Sequence, residues 1–191
     1  MNLPNKLTVL RVCTIPFFVF FMETECLGRW SSFVAVLLFV FASITDALDG
    51  KIARKYNLIT NFGKFMDPLA DKLLVSAALI CLVGRIPSWI VVVIISRELI
   101  ISGFRTIAAD NGIVIAASMW GKVKTTIQMI AIMLILLDPN NFFDFAKGIE
   151  MNQYAFIYNI VTSVGMLAAT AITIISGWDY LSKGKDLFKN K

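Results

Sequence analysis

The stretch Thr45-Asp46-Ala47-Leu48-Asp49-Gly50-Lys51-Ile52-Ala53-Arg54, followed by Asn61-Phe62-Gly63-Lys64-Phe65-Met66-Asp67-Pro68-Leu69-Ala70-Asp71-Lys72, sets the terms for the whole chain. Asp46 and Asp49 are three residues apart and share one face of a helix, which Gly50 and Ala53 continue. Asp67 and Asp71 are four apart and share a face of the next helix. Proline is tolerated in the first turn of a helix, where its missing N–H costs nothing, so Pro68 predicts a helix start near Gly63 or Lys64. A short turn thus folds two carboxylate pairs towards each other.

The sequence around this stretch is apolar. Of 191 residues, 58% are hydrophobic and 16% charged, and the mean hydropathy is +0.75. Soluble domains run at about 45–50% apolar and about 25% charged, and a chain of this length cannot hide the excess in a core. The chain therefore needs lipid, which excludes a secreted domain, a nucleic-acid-binding protein and an ordinary soluble enzyme. A bilayer core takes about 20 apolar residues per helix. Six candidate spans satisfy this, at roughly 5–23, 31–54, 66–84, 87–108, 119–137 and 155–178. The first resembles a signal peptide in position but lacks a small-residue cleavage site. Its Asn2, Asn5, Thr8 and Arg11 recur every three residues on one face, as in a retained helix. No repeat or linker divides the spans, so the expectation is an all-α, polytopic membrane protein whose residues 1–191 form one domain.

Basic residues set the orientation. With six spans, 15 of the 18 Lys and Arg fall on the side of both termini and of the 51–64 loop. Only Arg29, Arg85 and Lys147 fall opposite, among Glu23, Glu25, Asp138, Asp144 and Glu150. The acid-bearing turn and both termini are therefore expected on the cytoplasmic side. Trp30, Trp89 and Trp178 sit near span ends as interfacial anchors. Cys13, Cys26 and Cys81 lack metal-ligand spacing and read as small apolar residues.

Four carboxylates at a membrane edge cannot all stay ionised without cations. Lys51, Arg54, Lys64 and Lys72 lie nearby, but long side chains can turn away to water. An oxygen-only cluster suits a hard divalent ion, Mg²⁺ or Mn²⁺, with room for two, and the absence of His or a neighbouring Cys argues against zinc. Mg²⁺ keeps part of its shell for phosphate oxygens, so the cluster implies a phosphorylated ligand. With 0 His in the chain, any general base is a carboxylate, lysine or tyrosine. Two other readings stay open on the residues alone. The acids could form salt bridges that hold helices together, or they could line the path of an ion-coupled transporter.

A second group of charges lies further on. Arg97 sits inside the apolar run Val91 to Ile101, where a guanidinium is costly without an anion. Arg105, Lys122 and Lys124 follow at the end of the fourth span and the start of the fifth. With Glu98 too differently directed to neutralise all four, these cations suit an anionic, phosphate-bearing ligand. The plain alternative for Lys122 and Lys124 is that they are positive-inside anchors.

The pattern D46-x2-D49-G50-x2-A53-R54-x8-G63-x3-D67-x3-D71 resembles, at every fixed position, the signature of the CDP-alcohol phosphatidyltransferase family. The outer segments N2-L-P-N5-K-L-T8-V-L-R11, S96-R97-E98 with Arg105, and G121-K122-V-K124-T125 are similar to the bacterial branch that makes phosphatidylglycerophosphate. The resemblance implies the family's six-helix membrane fold, a homodimer, and a place in the bacterial plasma membrane. It implies transfer of a phosphatidyl group from CDP-diacylglycerol to glycerol 3-phosphate, with CMP leaving. By the same resemblance Asp46, Asp49 and Asp67 hold two metal ions, and Asp71 shares one or serves as base. Gly50, Ala53 and Arg54 seat the cytidine nucleotide beside Asp46, with Thr8 and Gly63 lining the pocket, while Arg97, Arg105, Lys122 and Lys124 bind the acceptor. Inositol phosphate, phosphatidylglycerol or serine would be alternative acceptors for the same chemistry.

Overall fold

A computed structural model describes residues 2–24, 26–28, 30–56, 60–110, 119–137 and 142–183; at 47, 49–55, 61, 64, 65, 109, 110, 119, 120, 122, 181 and 183 it describes the helical backbone alone. Six α-helices follow in order: α1 (Leu3–Glu23), α2 (Trp30–Lys55), α3 (Asn61–Cys81), α4 (Ser88–Asp110), α5 (Met119–Leu137) and α6 (Gln153–Lys183). A 3₁₀ turn, Asp144–Lys147, precedes α6. No strand forms among the described residues, and the helix bounds follow the apolar runs closely.

One boundary differs from expectation. Thr60 caps α3, its side chain accepting from the Gly63 N–H at 3.0 Å, so the helix begins at Asn61. Pro68 consequently lies inside α3 rather than in its first turn. A strong threonine cap outweighs the preference of proline for the first turn.

The chain forms two compact units, residues 1–82 and 83–191. In the first, α1 is the hub and packs along α2 and against α3. Ala35, Ala42, Ala70 and Ala78 are fully buried there and let the helices approach closely, and Phe18 meets Phe39 with ring centroids 5.8 Å apart. In the second unit α6 is the hub, packing on α5 and α4. The chain reaches α4 through a tight turn in which Gly84 has φ +101°, a backbone region that side chains disfavour.

Both hub helices have reversed polarity. Along α1 the buried positions include Asn5, Thr8, Arg11 and Thr14, while Leu10, Phe17 and Phe20 are exposed. Along α6, Asn159, Ser163, Thr170, Thr173 and Ser176 are buried, and Ile157, Val161, Val164, Ile174 and Ile175 are exposed. Polar groups inside and large apolar side chains outside describe a protein made for lipid, where the solvent is as apolar as a core. Two helical stretches, Leu3–Glu23 and Gln153–Tyr180, are long and apolar enough to cross a membrane, and Trp30–Asp46 and Val123–Leu137 are shorter apolar stretches. Charges at Asp46, Asp67, Asp71 and Arg97 interrupt the other helices. Trp30, Trp89 and Trp178 are all exposed near helix ends.

Candidate active site

The polar face of α1 collects side chains from both of its neighbours. From α2, Asp46 places Oδ1 2.6 Å from Arg11 Nη1. Arg11 is fully buried, whereas Asp46 is 42% exposed, so the cation lies behind the carboxylate. From α3, Asp67 accepts the Thr8 hydroxyl on Oδ1 at 2.6 Å. Thr8 Oγ1 also lies 3.2 Å from the Pro4 carbonyl, one turn back in its own helix. The Thr8 hydroxyl thus reaches a carboxylate oxygen, a stronger class of acceptor than a neutral carbonyl.

A second relay fixes the start of α3. The Gly63 N–H donates to Thr60 Oγ1, and the Thr60 hydroxyl donates to Asn5 Oδ1 at 2.9 Å. Gly63 is buried where these groups converge. A Cβ there would stand 3.2 Å from Asn5 Oδ1, 3.3 Å from Thr60 Oγ1 and 3.5 Å from Asp67 Oδ2. Glycine is thus what lets α1 and α3 close around Asp67. Asp71 follows one turn further along α3, half-buried. Lys72, one of the cations near the acids in sequence, instead donates to the Pro68 carbonyl at 3.0 Å.

Among the described residues, a countercharge at Asp46 comes from Arg11, a residue outside the two carboxylate segments. The sequence signal for it was a basic residue in an apolar run, spaced at three from Thr8 and Asn5. Asp49, Gly50, Ala53 and Arg54 lie on α2 beyond Asp46, and their side chains are outside the described residues. Among the described residues no group of three or more metal-capable side chains is assembled. The donor chemistry nonetheless fits a hard divalent cation: Asp46 and Asp67 are oxygen donors from two helices, each oriented by a partner on α1. Such orienting contacts are what a metal-binding carboxylate needs around it.

The second unit holds the basic residues. Arg97 on α4 donates through Nη2 to Ser176 Oγ on α6 at 2.6 Å, and its guanidinium lies over the Tyr180 ring, 5.6 Å from the centroid. Glu98 pairs with Lys124 of α5, and its other oxygen is 3.9 Å from Arg97 Nη1. Glu98, expected to orient one arginine without neutralising all four cations, joins Lys124 and reaches towards Arg97. Lys124 is fully buried, which a membrane-surface anchor would not be. Arg105 is exposed two turns along α4, about 12 Å from Arg97 at the rise of an α-helix. The Lys122 side chain is outside the described residues.

A helical unit that gathers Asp46 and Asp67 on a polar helix face, and another that gathers Arg97 and Lys124 around one glutamate, belong to a membrane enzyme handling anionic groups. The chain matches the CDP-alcohol phosphatidyltransferase family over residues 1–176 and is a member of it. It is 44% identical to the CDP-diacylglycerol–glycerol-3-phosphate 3-phosphatidyltransferase of Bacillus subtilis (strain 168), over 98% of this chain and 97% of that protein. It is 39% identical to the enzyme of the same name from Rickettsia felis, over 98% of this chain and 97% of the relative. The Escherichia coli (strain K12) enzyme of that name is 38% identical, over 91% of this chain and 97% of its own length.

Proposed function

We propose that this protein transfers the phosphatidyl group of CDP-diacylglycerol to glycerol 3-phosphate, giving phosphatidylglycerophosphate and CMP. The structural observation that carries the reading is the convergence of Asp46 and Asp67 on the buried polar face of α1, through Arg11 and Thr8. The similarity along nearly the whole chain to enzymes of that name supplies the acceptor.

In the reaction a hydroxyl of glycerol 3-phosphate attacks the phosphorus that carries the diacylglycerol. A new P–O bond forms, the bond to CMP breaks, and the hydroxyl proton goes to a base. Asp71 is that base: it lies one turn from Asp67 on the same face of α3, in a chain without histidine. Asp46, Asp49, Asp67 and Asp71 would hold two divalent ions, Mg²⁺ or Mn²⁺, which would supply charge stabilisation at the phosphate oxygens.

Thr8 and Arg11 keep Asp67 and Asp46 in place. Gly50, Ala53 and Arg54 seat the cytidine nucleotide beside Asp46, with Gly63 leaving room at the start of α3. Arg97, Arg105 and Lys122 take the phosphate of the acceptor, and Lys124 contributes from behind through Glu98. All six helices act as spans, with the acids and both termini on the cytoplasmic side of the bacterial plasma membrane, and residues 1–191 work as one catalytic domain in a homodimer among membrane lipids.

The test is CMP release by the purified protein in detergent with CDP-diacylglycerol and Mg²⁺, offering glycerol 3-phosphate, inositol phosphate, serine and phosphatidylglycerol in turn. Release that requires glycerol 3-phosphate and stops on chelation is the expected result. Release with another acceptor alone would replace the acceptor and keep the chemistry. A folded protein that releases no CMP with any of them would return the acids to an ion-transport path.

A further inference from the structure

Arg97 is held in an unusual way for a partly buried cation. Three features of a single turn of α6 shape its position. Ser176, itself fully buried, accepts from Nη2 at 2.6 Å. Tyr180 presents its ring to the guanidinium at 5.6 Å, within the range of a cation–π contact. Gly177 lies under the aliphatic stem, where a Cβ would stand 3.2 Å from Arg97 Cγ. All three contacts are neutral: they fix the plane and the direction of the guanidinium without cancelling its charge. The carboxylate of Glu98 is already paired with Lys124 and reaches Arg97 Nη1 only at 3.9 Å. The buried Nε of Arg97 meets no hydrogen-bond acceptor among the described residues. A buried donor left in that state is costly unless a ligand completes it, and the rigid fork of arginine matches a phosphate in two places at once.

We infer that the Ser176-Gly177 pair together with Tyr180 is the positioning device that aims Arg97 at the phosphate of the acceptor, making this turn of α6 a determinant of acceptor affinity. The inference rests on the proposal that Arg97 binds that phosphate. Ser176, Gly177 and Tyr180 are positioning residues here; they act through Arg97.

The experiment uses the full chain purified in detergent, with steady-state CMP release measured against glycerol 3-phosphate and, separately, against CDP-diacylglycerol. Ser176→Ala removes a hydrogen bond to a charged group and should raise the KM for glycerol 3-phosphate about tenfold. The KM for CDP-diacylglycerol and kcat should stay within about twofold of the parent, because uniform binding of one substrate is lost. Ser176→Thr keeps the hydroxyl and should restore most of the affinity. Gly177→Ala pushes the Arg97 stem aside and should shift the same KM in the same direction, so the inference survives testing even if Ser176→Ala does not fold. In an Arg97→Ala background, Ser176→Ala should add less than about twofold, the mark of two residues acting as one. An undiminished effect of Ser176→Ala in that background, or a parallel rise in both KM values, would overturn the positioning role. If Arg97→Ala itself left the acceptor KM unchanged, the fault would lie with the phosphate assignment of Arg97, and the inference would fall with it.

Discussion

The two units solve the same electrostatic problem with opposite results. In the first, a fully buried cation, Arg11, stands behind a carboxylate, Asp46, that reaches outwards. In the second, a fully buried cation, Lys124, again stands behind a carboxylate, Glu98, but the next group in the layer is another cation, Arg97. Each unit thus sets a partly exposed carboxylate on a buried cation as a fixed foundation. What differs is the neighbouring charge: Asp67 is held on the same α1 face by Thr8 in one, and Arg97 stands beside Glu98 in the other. The pair sets geometry, and in the proposed function the neighbouring charge sets the sign of the ligand. Under the proposed function, metal ions take the first place and the acceptor phosphate the second.

The sharpest way to break this comparison is at the group assigned to chemistry. Asp71→Asn should lower turnover at least about a hundredfold, the usual scale for losing a general base, while binding of a cytidine nucleotide in the presence of Mg²⁺ is largely kept. Loss of nucleotide binding with turnover would instead make Asp71 chiefly a metal ligand.

The foundations can be compared with each other by thermal melting in detergent. Removing one partner of a fully buried pair costs about 3–5 kcal/mol. Glu98→Gln leaves behind Lys124, whose side chain is 1% exposed, and should approach that figure. Arg11→Met leaves behind Asp46, 42% exposed and able to reach water, and should cost only about 1–3 kcal/mol after that solvation. Equal losses, or the reverse order, would show that depth of the remaining charge is not what matters.

Among the cations of the proposed acceptor site, Arg105→Ala should raise the KM for glycerol 3-phosphate about tenfold, on the scale of one charge-assisted hydrogen bond. CDP-diacylglycerol should bind as before. An unchanged acceptor KM would remove Arg105 from the phosphate site and leave it a surface charge. The smallest effect is expected at Gly63, where an alanine methyl meets Asn5, Thr60 and Asp67 at 3.2–3.5 Å. Gly63→Ala should cost about 1–2 kcal/mol of stability as mild overpacking and lower kcat several-fold by shifting Asp67. An unaffected kcat would show that Asp67 tolerates the displacement.

Much of this protein was written locally. The apolar runs gave six helices, and helical spacing put Asp46, Asp67 and Asp71 on definite faces before any packing was known. The three-residue rhythm of Asn5, Thr8 and Arg11 marked a polar helix face, and its extension to Thr14 in the structure lies on the same stripe. These features follow from the chain itself, because hydrophobic length and side-chain period are properties of neighbouring residues. Tertiary structure alone decided which residues met across distance. It gave Arg11 to Asp46, Thr8 to Asp67, Glu98 to both Lys124 and Arg97, and a serine 79 positions away to Arg97. It also placed Pro68 inside α3, because the Thr60 cap fixed where that helix starts. Charge pairing in a medium of low dielectric is a matter of a few ångströms, and such distances are set by how helices pack, not by the order in which their residues follow one another.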